Sequence, residues 1–162
     1  MVGCETAHWL ANEYGKNVTV LEMLPHFMMG VCTANRGHLL HYLEKSGVRL
    51  YNCTKVKALA KDGVYVEQNQ SQTVPDPYNT WQPLLPPNIP NPMEKAIKEE
   101  IVEKKIPADL IVLAMGGKAD ETFFFEAGEE HLAKEIYNIG DSSRAGRVLE
   151  AVRGAYHLAV RI

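Results

Sequence analysis

The first 22 residues set a helix, a glycine stop, a short apolar strand and an acid in fixed order, and this order restricts the fold more than any other stretch. From Cys4 onward Ala7, Leu10, Ala11 and Tyr14 recur at helical spacing, and Gly15 stands where a left-handed residue ends a helix. Val18-Thr19-Val20-Leu21 then forms a β-branched-rich run of the kind expected for a parallel strand covered on both faces. Glu22 follows at the C-terminal end of that strand.

Gly3 and Glu22 are nineteen residues apart. That is close to the distance between the last glycine of a dinucleotide-binding fingerprint and the acid that accepts ribose hydroxyls. In this reading Gly3 lets the helix pack closely on a sheet, and the helix N-terminus faces a pyrophosphate. The first strand and the two earlier glycines of the fingerprint are expected before Met1. An ordinary β-α-β unit, with Gly3 serving packing and Glu22 solvated, has the same spacing, so spacing alone leaves both readings open.

The remaining elements agree with an α/β chain. A second helix is expected over about 34–46, with Thr33 as its N-cap, Leu39, Leu40 and Leu43 on one face and Gly47 after its end. Residues 48–51 form a second strand. The period then changes: 55–60 and 64–66 flank Asp62-Gly63, which predicts an antiparallel hairpin. From about 69 to 95 the chain is polar and carries Pro75, Pro77, Pro83, Pro86, Pro87, Pro90 and Pro92, so it reads as an inserted loop. Tyr78 and Trp81 argue that this loop packs on something. Residues 95–105 suit either a helix, through Ile97 and Ile101, or a further strand, with periodicity tilting towards a helix.

Leu110-Ile111-Val112-Leu113-Ala114 predicts a buried strand running into a turn at Met115-Gly116-Gly117, where ligands of open α/β sheets sit. Residues 120–130, with Phe123-Phe124-Phe125, form a short amphipathic turn or docking segment. Residues 135–139 predict another strand, ending at Gly140-Asp141. A last helix carries Val148, Leu149, Val152, Ala155, Tyr156, Ala159 and Val160 as its apolar face. Asp141 is either the cap of that helix or a hydroxyl-binding carboxylate.

Composition excludes several classes. A net charge of −3 and a pI near 6.1 supply no basic stripe for nucleic acid. No stretch approaches the roughly 20 apolar residues of a membrane span, and no signal segment opens the chain, so a cytoplasmic location is the expectation. Cys4, Cys32 and Cys53 are too far apart for a CxxC pair and read as buried or half-buried thiols. His38 and His41 have metal-compatible spacing but no third ligand nearby, so no metal site is expected.

Four stretches taken together, Met1-Val2-Gly3-Cys4-Glu5-Thr6-Ala7, the strand ending at Glu22, Leu113-Ala114-Met115-Gly116-Gly117 and Ile139-Gly140-Asp141, resemble flavin- and nicotinamide-dependent oxidoreductases with two dinucleotide domains. The tail from Ala145 to Arg153 looks most like the Old Yellow Enzyme-like NADH:flavin oxidoreductases, the group of 2,4-dienoyl-CoA reductase and 2-enoate reductase. The resemblance implies a Rossmann-like, three-layer α/β fold with a parallel sheet lacking its first strand, plus a small antiparallel β-meander that takes in 99–106 as its third strand. It implies an NAD(H)-binding domain over 1–117, with the proline-rich insertion, and the C-terminal segment of an FAD-binding domain over 118–162.

By the same resemblance Gly3, with Val2 beside it, lies at the pyrophosphate and Glu5 near the nicotinamide. Glu22 takes the adenosine ribose, and Met23 and Val56 lie near the adenine. Ala114, Met115 and Gly116 approach the cofactor backbone, and Asp141, preceded by Gly140, binds the ribityl chain of FAD. The parent would pass hydride from NADH to FAD and then to FMN, with an iron–sulfur cluster carried elsewhere. The chain's partner is then the rest of that flavoenzyme, and an open sheet position makes a homo-oligomer through strand exchange an expected risk. A disulfide reductase or NADH oxidase of the same layout, and a non-catalytic Rossmann-like interaction module, are the alternatives.

Overall fold

The computed structural model describes residues 1–81, 85 and 88–162 of the chain, so Pro83, Pro86 and Pro87 of the proline-rich run lie outside the described residues. Two compact units are formed, Met1–Ala114 and Met115–Ile162.

In the first unit, helix α1 (Val2–Tyr14) ends at Gly15, whose φ of 58° is the left-handed stop that lets the following Lys16 N–H reach back to the Leu10 carbonyl at 3.1 Å. Strand β1 (Thr19–Leu21) pairs in parallel with β2 (Arg49–Tyr51), in the register Val20 opposite Leu50. Between them runs helix α2 (Thr33–Lys45). Its N-cap is Cys32 and not Thr33, because the helix begins one residue early: Arg36 N–H already bonds the Cys32 carbonyl at 2.9 Å. Cys4, Ala7, Phe27, Met28, Leu40, Leu43, Val48 and Leu50 form the core that joins both helices to this sheet. Phe27 and Met28, in the loop after Glu22, therefore serve packing, whereas Met23 and Met29 are exposed.

Strands β3 (Thr54–Ala60), β4 (Gly63–Asn69) and β5 (Ile101–Pro107) make an antiparallel meander. The hairpin loop is Lys61-Asp62, with Gly63 already opposite Ala60. Gly63 has a φ of 153°, and a Cβ on it would meet the Ile106 carbonyl oxygen at 2.3 Å, so only glycine allows β5 to approach there. Ile101 to Pro107 is a strand, as the resemblance implied and against the helical tilt of its periodicity. The ladder to β4, from Gly63 opposite Pro107 to Asn69 opposite Ile101, outweighs two isoleucines at i, i+4.

Two expected strands do not form. Residues 110–114 form no regular element, and Leu110 and Leu113 are about three-quarters and two-thirds exposed. Residues 135–139 are likewise irregular. An apolar run becomes a strand only when a neighbour satisfies its N–H and C=O groups, and among the described residues neither run has a ladder partner.

The second unit contains helix α3 (Thr122–Glu129), a 3₁₀ turn at Gly140–Ser142 and helix α4 (Val148–Ala159). The apolar stripe of α4 is present, but Val148, Val152, Tyr156 and Val160 are exposed. No helix among the described residues is long and apolar enough to cross a membrane.

Candidate functional site

A helix that precedes a parallel strand runs antiparallel to it, which brings the start of α1 to the sheet edge where β1 ends. The first N–H groups of any helix lack intrahelical acceptors and favour anions. At this start Cys4 and Glu5 N–H bond the Met1 carbonyl at 2.8 and 3.1 Å. Gly3 packs directly on Ala114: a Cβ at Gly3 would stand 2.8 Å from the Ala114 methyl, nearer than side chains tolerate. The missing side chain at Gly3 thus lets the 110–114 segment lie against the helix end. Val2 and Glu5 are exposed.

Glu22 terminates β1. Its N–H donates to the Tyr51 carbonyl at 2.9 Å, and its carbonyl accepts from Thr54 N–H at 2.9 Å, so the residue is tied to both β2 and β3. Its carboxylate oxygen Oε1 accepts from Leu24 N–H at 3.0 Å, which turns the following loop back over the strand end. The Cys4 thiol has its pKa raised, chiefly by burial, and the Glu22 and Glu5 carboxylates add to the rise. Glu22 therefore stands within electrostatic range of the first turn of α1.

Of the residues expected at a cofactor, the structure brings Gly3 and Ala114 into contact, and Glu22 acts electrostatically on Cys4, the residue after Gly3. Met23 follows Glu22 and is 67% exposed. Val56 lies on β3, two residues beyond the Thr54 that bonds Glu22, at a register shift in the β3–β4 ladder. Met115 and Gly116 open the second unit; Met115 is fully out in solvent and Gly116 has a left-handed φ of 84°. Gly140 and Asp141 also lie in the second unit, so Glu22 and Asp141 each belong to a different compact body.

Asp141 does not cap α4. Its carboxylate accepts from Gly146 N–H at 3.1 Å, while Arg147 is the N-cap of the helix and the Glu150 carboxylate accepts from the Arg147 N–H at 3.0 Å and from its guanidinium. The thiols are not alike either: Cys4 is buried, Cys53 is intermediate, and Cys32 is exposed because it occupies the outer N-cap of α2. Among the described residues no group of three or more His, Cys, Asp or Glu could hold a metal, so they offer no thiolate set for an iron–sulfur cluster. His38 and His41 each meet the Tyr42 ring edge to face.

Sequence reasoning missed Arg36 and Asn52; it expected Tyr78 to pack, and Tyr78 does pack on the core, whereas Trp81 is exposed. Arg36 is buried, with Nε on the Phe27 carbonyl at 2.9 Å and Nη1 on the Asn79 carbonyl at 3.1 Å. Its place at helical spacing from Leu40 and Leu43 was a legible sign of burial. Asn52 is buried and donates to the Pro25 and Pro75 carbonyls at 2.7 and 2.9 Å. The Tyr78 hydroxyl donates to the Val48 carbonyl at 2.7 Å and accepts from Leu50 N–H at 3.2 Å, covering the outer edge of β2.

A parallel β-α-β unit with a bare helix start and an acid at the strand tip, beside an antiparallel meander, is a Rossmann-like architecture. Comparison places it further. The pyridine nucleotide-disulphide oxidoreductase family model matches residues 1–144, and the chain belongs to that family. An NADH oxidase of Thermoanaerobacter brockii is 25% identical over the whole chain, which spans 20% of that protein. Among solved structures, 2-naphthoyl-CoA reductase in complex with 2-naphthoyl-CoA superposes with a TM-score of 0.71 at 24% identity, over 99% of this chain and 20% of that one. The 6-hydroxypseudooxynicotine amine oxidase of Pseudomonas geniculata N1 gives 0.68 at 15% identity, over 98% and 20%. The chain thus spans about a fifth of each of these proteins and shares their fold.

Proposed function

We propose that the chain is the NAD(H)-binding module of a larger flavin oxidoreductase, residues 1–117, followed by a returning segment of its FAD-binding domain, residues 118–162. The contact of Gly3 with Ala114 and the electrostatic reach of Glu22 to Cys4 beside it, in a chain of this family, carry the reading. In it, the first turn of α1 takes the pyrophosphate and Val2 and Gly3 keep the approach open. Glu22, with one oxygen held by Leu24 N–H, accepts the ribose hydroxyls through its carboxylate. Met23 and Val56 flank the adenine, Glu5 lies towards the nicotinamide, and the 114–116 backbone borders the cofactor. Gly140 and Asp141 serve the ribityl chain of FAD. Nicotinamide and flavin supply the hydride chemistry when bound, and the chain's residues bind and orient them.

The resemblance to Old Yellow Enzyme-like NADH:flavin oxidoreductases supports a parent that hands electrons on from FAD to FMN, with an iron–sulfur cluster and an unsaturated substrate on the remainder of that protein, its partner. Rapid mixing of the full-length protein with NADH under argon tests the assignment: bleaching of its flavin absorbance supports it, and a flavin left oxidised by millimolar NADH contradicts it. The NADH oxidase relative favours a second reading, in which oxygen or a disulfide is the electron acceptor. NADH consumption that tracks oxygen uptake or thiol release, with no unsaturated acceptor present, would select it.

A further inference from the structure

We propose that residues 71–79 of the proline-rich segment brace the loop that follows Glu22, through the bridging side chains of Asn52 and Arg36, and that this brace sets the preference for NADH over NADPH. The inference rests on the role of Glu22 given under Proposed function.

The two bridges share one pattern. Asn52 Nδ2 donates at once to the Pro25 carbonyl in the loop and to the Pro75 carbonyl in the segment. Arg36 spans the Phe27 carbonyl in the loop and the Asn79 carbonyl in the segment with two nitrogens of one guanidinium. Asn52 and Arg36 are only 4% and 2% exposed, so neither can trade these carbonyls for water without opening the structure.

The segment has its own rigid footing. The Tyr78 hydroxyl is fastened to Val48 and Leu50 at the edge of β2, and the Asp76 carboxylate accepts from Tyr78 N–H at 3.0 Å to hold the turn. The loop hangs between this footing and the strand end, and its Leu24 N–H holds Glu22 Oε1. Leu24 has one tie of its own, its carbonyl accepting from Cys53 N–H at 3.1 Å, so releasing the Pro25 and Phe27 carbonyls loosens the loop on the far side of the residue that orients the carboxylate. Asn52 and Arg36 are positioning residues, acting on the nucleotide through Glu22.

Asn52→Asp keeps the shape of the side chain and loses the donor; Arg36→Lys keeps the charge and loses the planar fork. In the full-length protein, amide hydrogen exchange over residues 23–31 should accelerate about tenfold in each, the order expected for one or two lost hydrogen bonds, with the β3–β5 meander unchanged. The ratio of NADPH to NADH dissociation constants should shrink by a similar factor. Leu40→Val, which weakens the same core without touching either bridge, should leave that ratio alone. An unchanged ratio and unchanged loop exchange in both bridge variants overturns the proposal, as does an equal shrinkage in Leu40→Val. If both bridge variants fail to fold, Tyr78→Phe replaces them under the same criteria. A wild-type protein with no NADH preference refutes the role of Glu22 itself, and the brace is then decided by loop exchange alone.

Discussion

Gly3 and Ala114 stand so close that a methyl group on Gly3 would lie 2.8 Å from the methyl of Ala114. Both atoms hang directly from backbone, so neither can swing aside; the helix end and the 110–114 segment would have to part. Gly3→Ala should destabilise the first unit by about 1–3 kcal/mol, the usual range for overpacking, and weaken NADH binding with it. The double variant Gly3→Ala with Ala114→Gly should recover most of both losses in a urea-unfolding cycle. Additive losses in the double variant would show that the two positions do not meet.

The Tyr78 hydroxyl occupies ladder positions that a neighbouring strand would otherwise take on the outer edge of β2. Tyr78→Phe removes both hydrogen bonds and nothing else, at a cost of about 1–3 kcal/mol. The uncovered Val48 carbonyl and Leu50 N–H then become a pairing edge. Light scattering should show the variant associating at concentrations where the parent does not.

The start of α4 depends on pH through Glu150, whose carboxyl is lowered to about 2, chiefly by its hydrogen bonds from Arg147. Because the folded value is depressed, the support given by this pair is complete above the ordinary glutamate range and is lost as pH falls towards 2. The pair is exposed and therefore salt-sensitive. Glu150→Gln should fray the first turn of α4 at neutral pH, read by NMR amide shifts, and make no difference at pH 1.5.

Burial raises the pKa of the Cys4 and Cys53 thiols. Cys32 is exposed at the outer end of α2. Site-resolved alkylation of the native protein at pH 7.5 should therefore label Cys32 first, Cys53 later and Cys4 only on unfolding. Early labelling of Cys4 would mean that the core beneath α1 is open.

What the sequence made legible follows from how local each signal is. Helix, stop and strand in the first 22 residues depend on neighbours within a few positions, and they stand as read, Gly15 included. The hairpin around Lys61-Asp62 is equally local. The 110–114 run is not: its apolar residues say that it can enter a sheet, but only a partner strand makes it one. The same holds for 135–139, and for the stripe on α4, which periodicity finds but whose cover it cannot supply. The ties of Arg36 to Asn79, Asn52 to Pro75 and Tyr78 to Val48 join positions 23–43 residues apart through single polar atoms, and no periodic pattern encodes such contacts. Glu22 was legible as an acid at a strand tip; its hold by Leu24 N–H was not.

The central claim is that Glu22 reads the adenosine ribose. Titration of the full-length protein with NADH and with NADPH, before and after Glu22→Ala, tests it most directly. The carboxylate should favour two hydroxyls and repel a 2′-phosphate. NADH should bind more tightly than NADPH, and the substitution should weaken NADH by about 1–3 kcal/mol while sparing or improving NADPH. Tighter binding of NADPH by the unaltered protein, or an unchanged NADH affinity after the substitution, would contradict it.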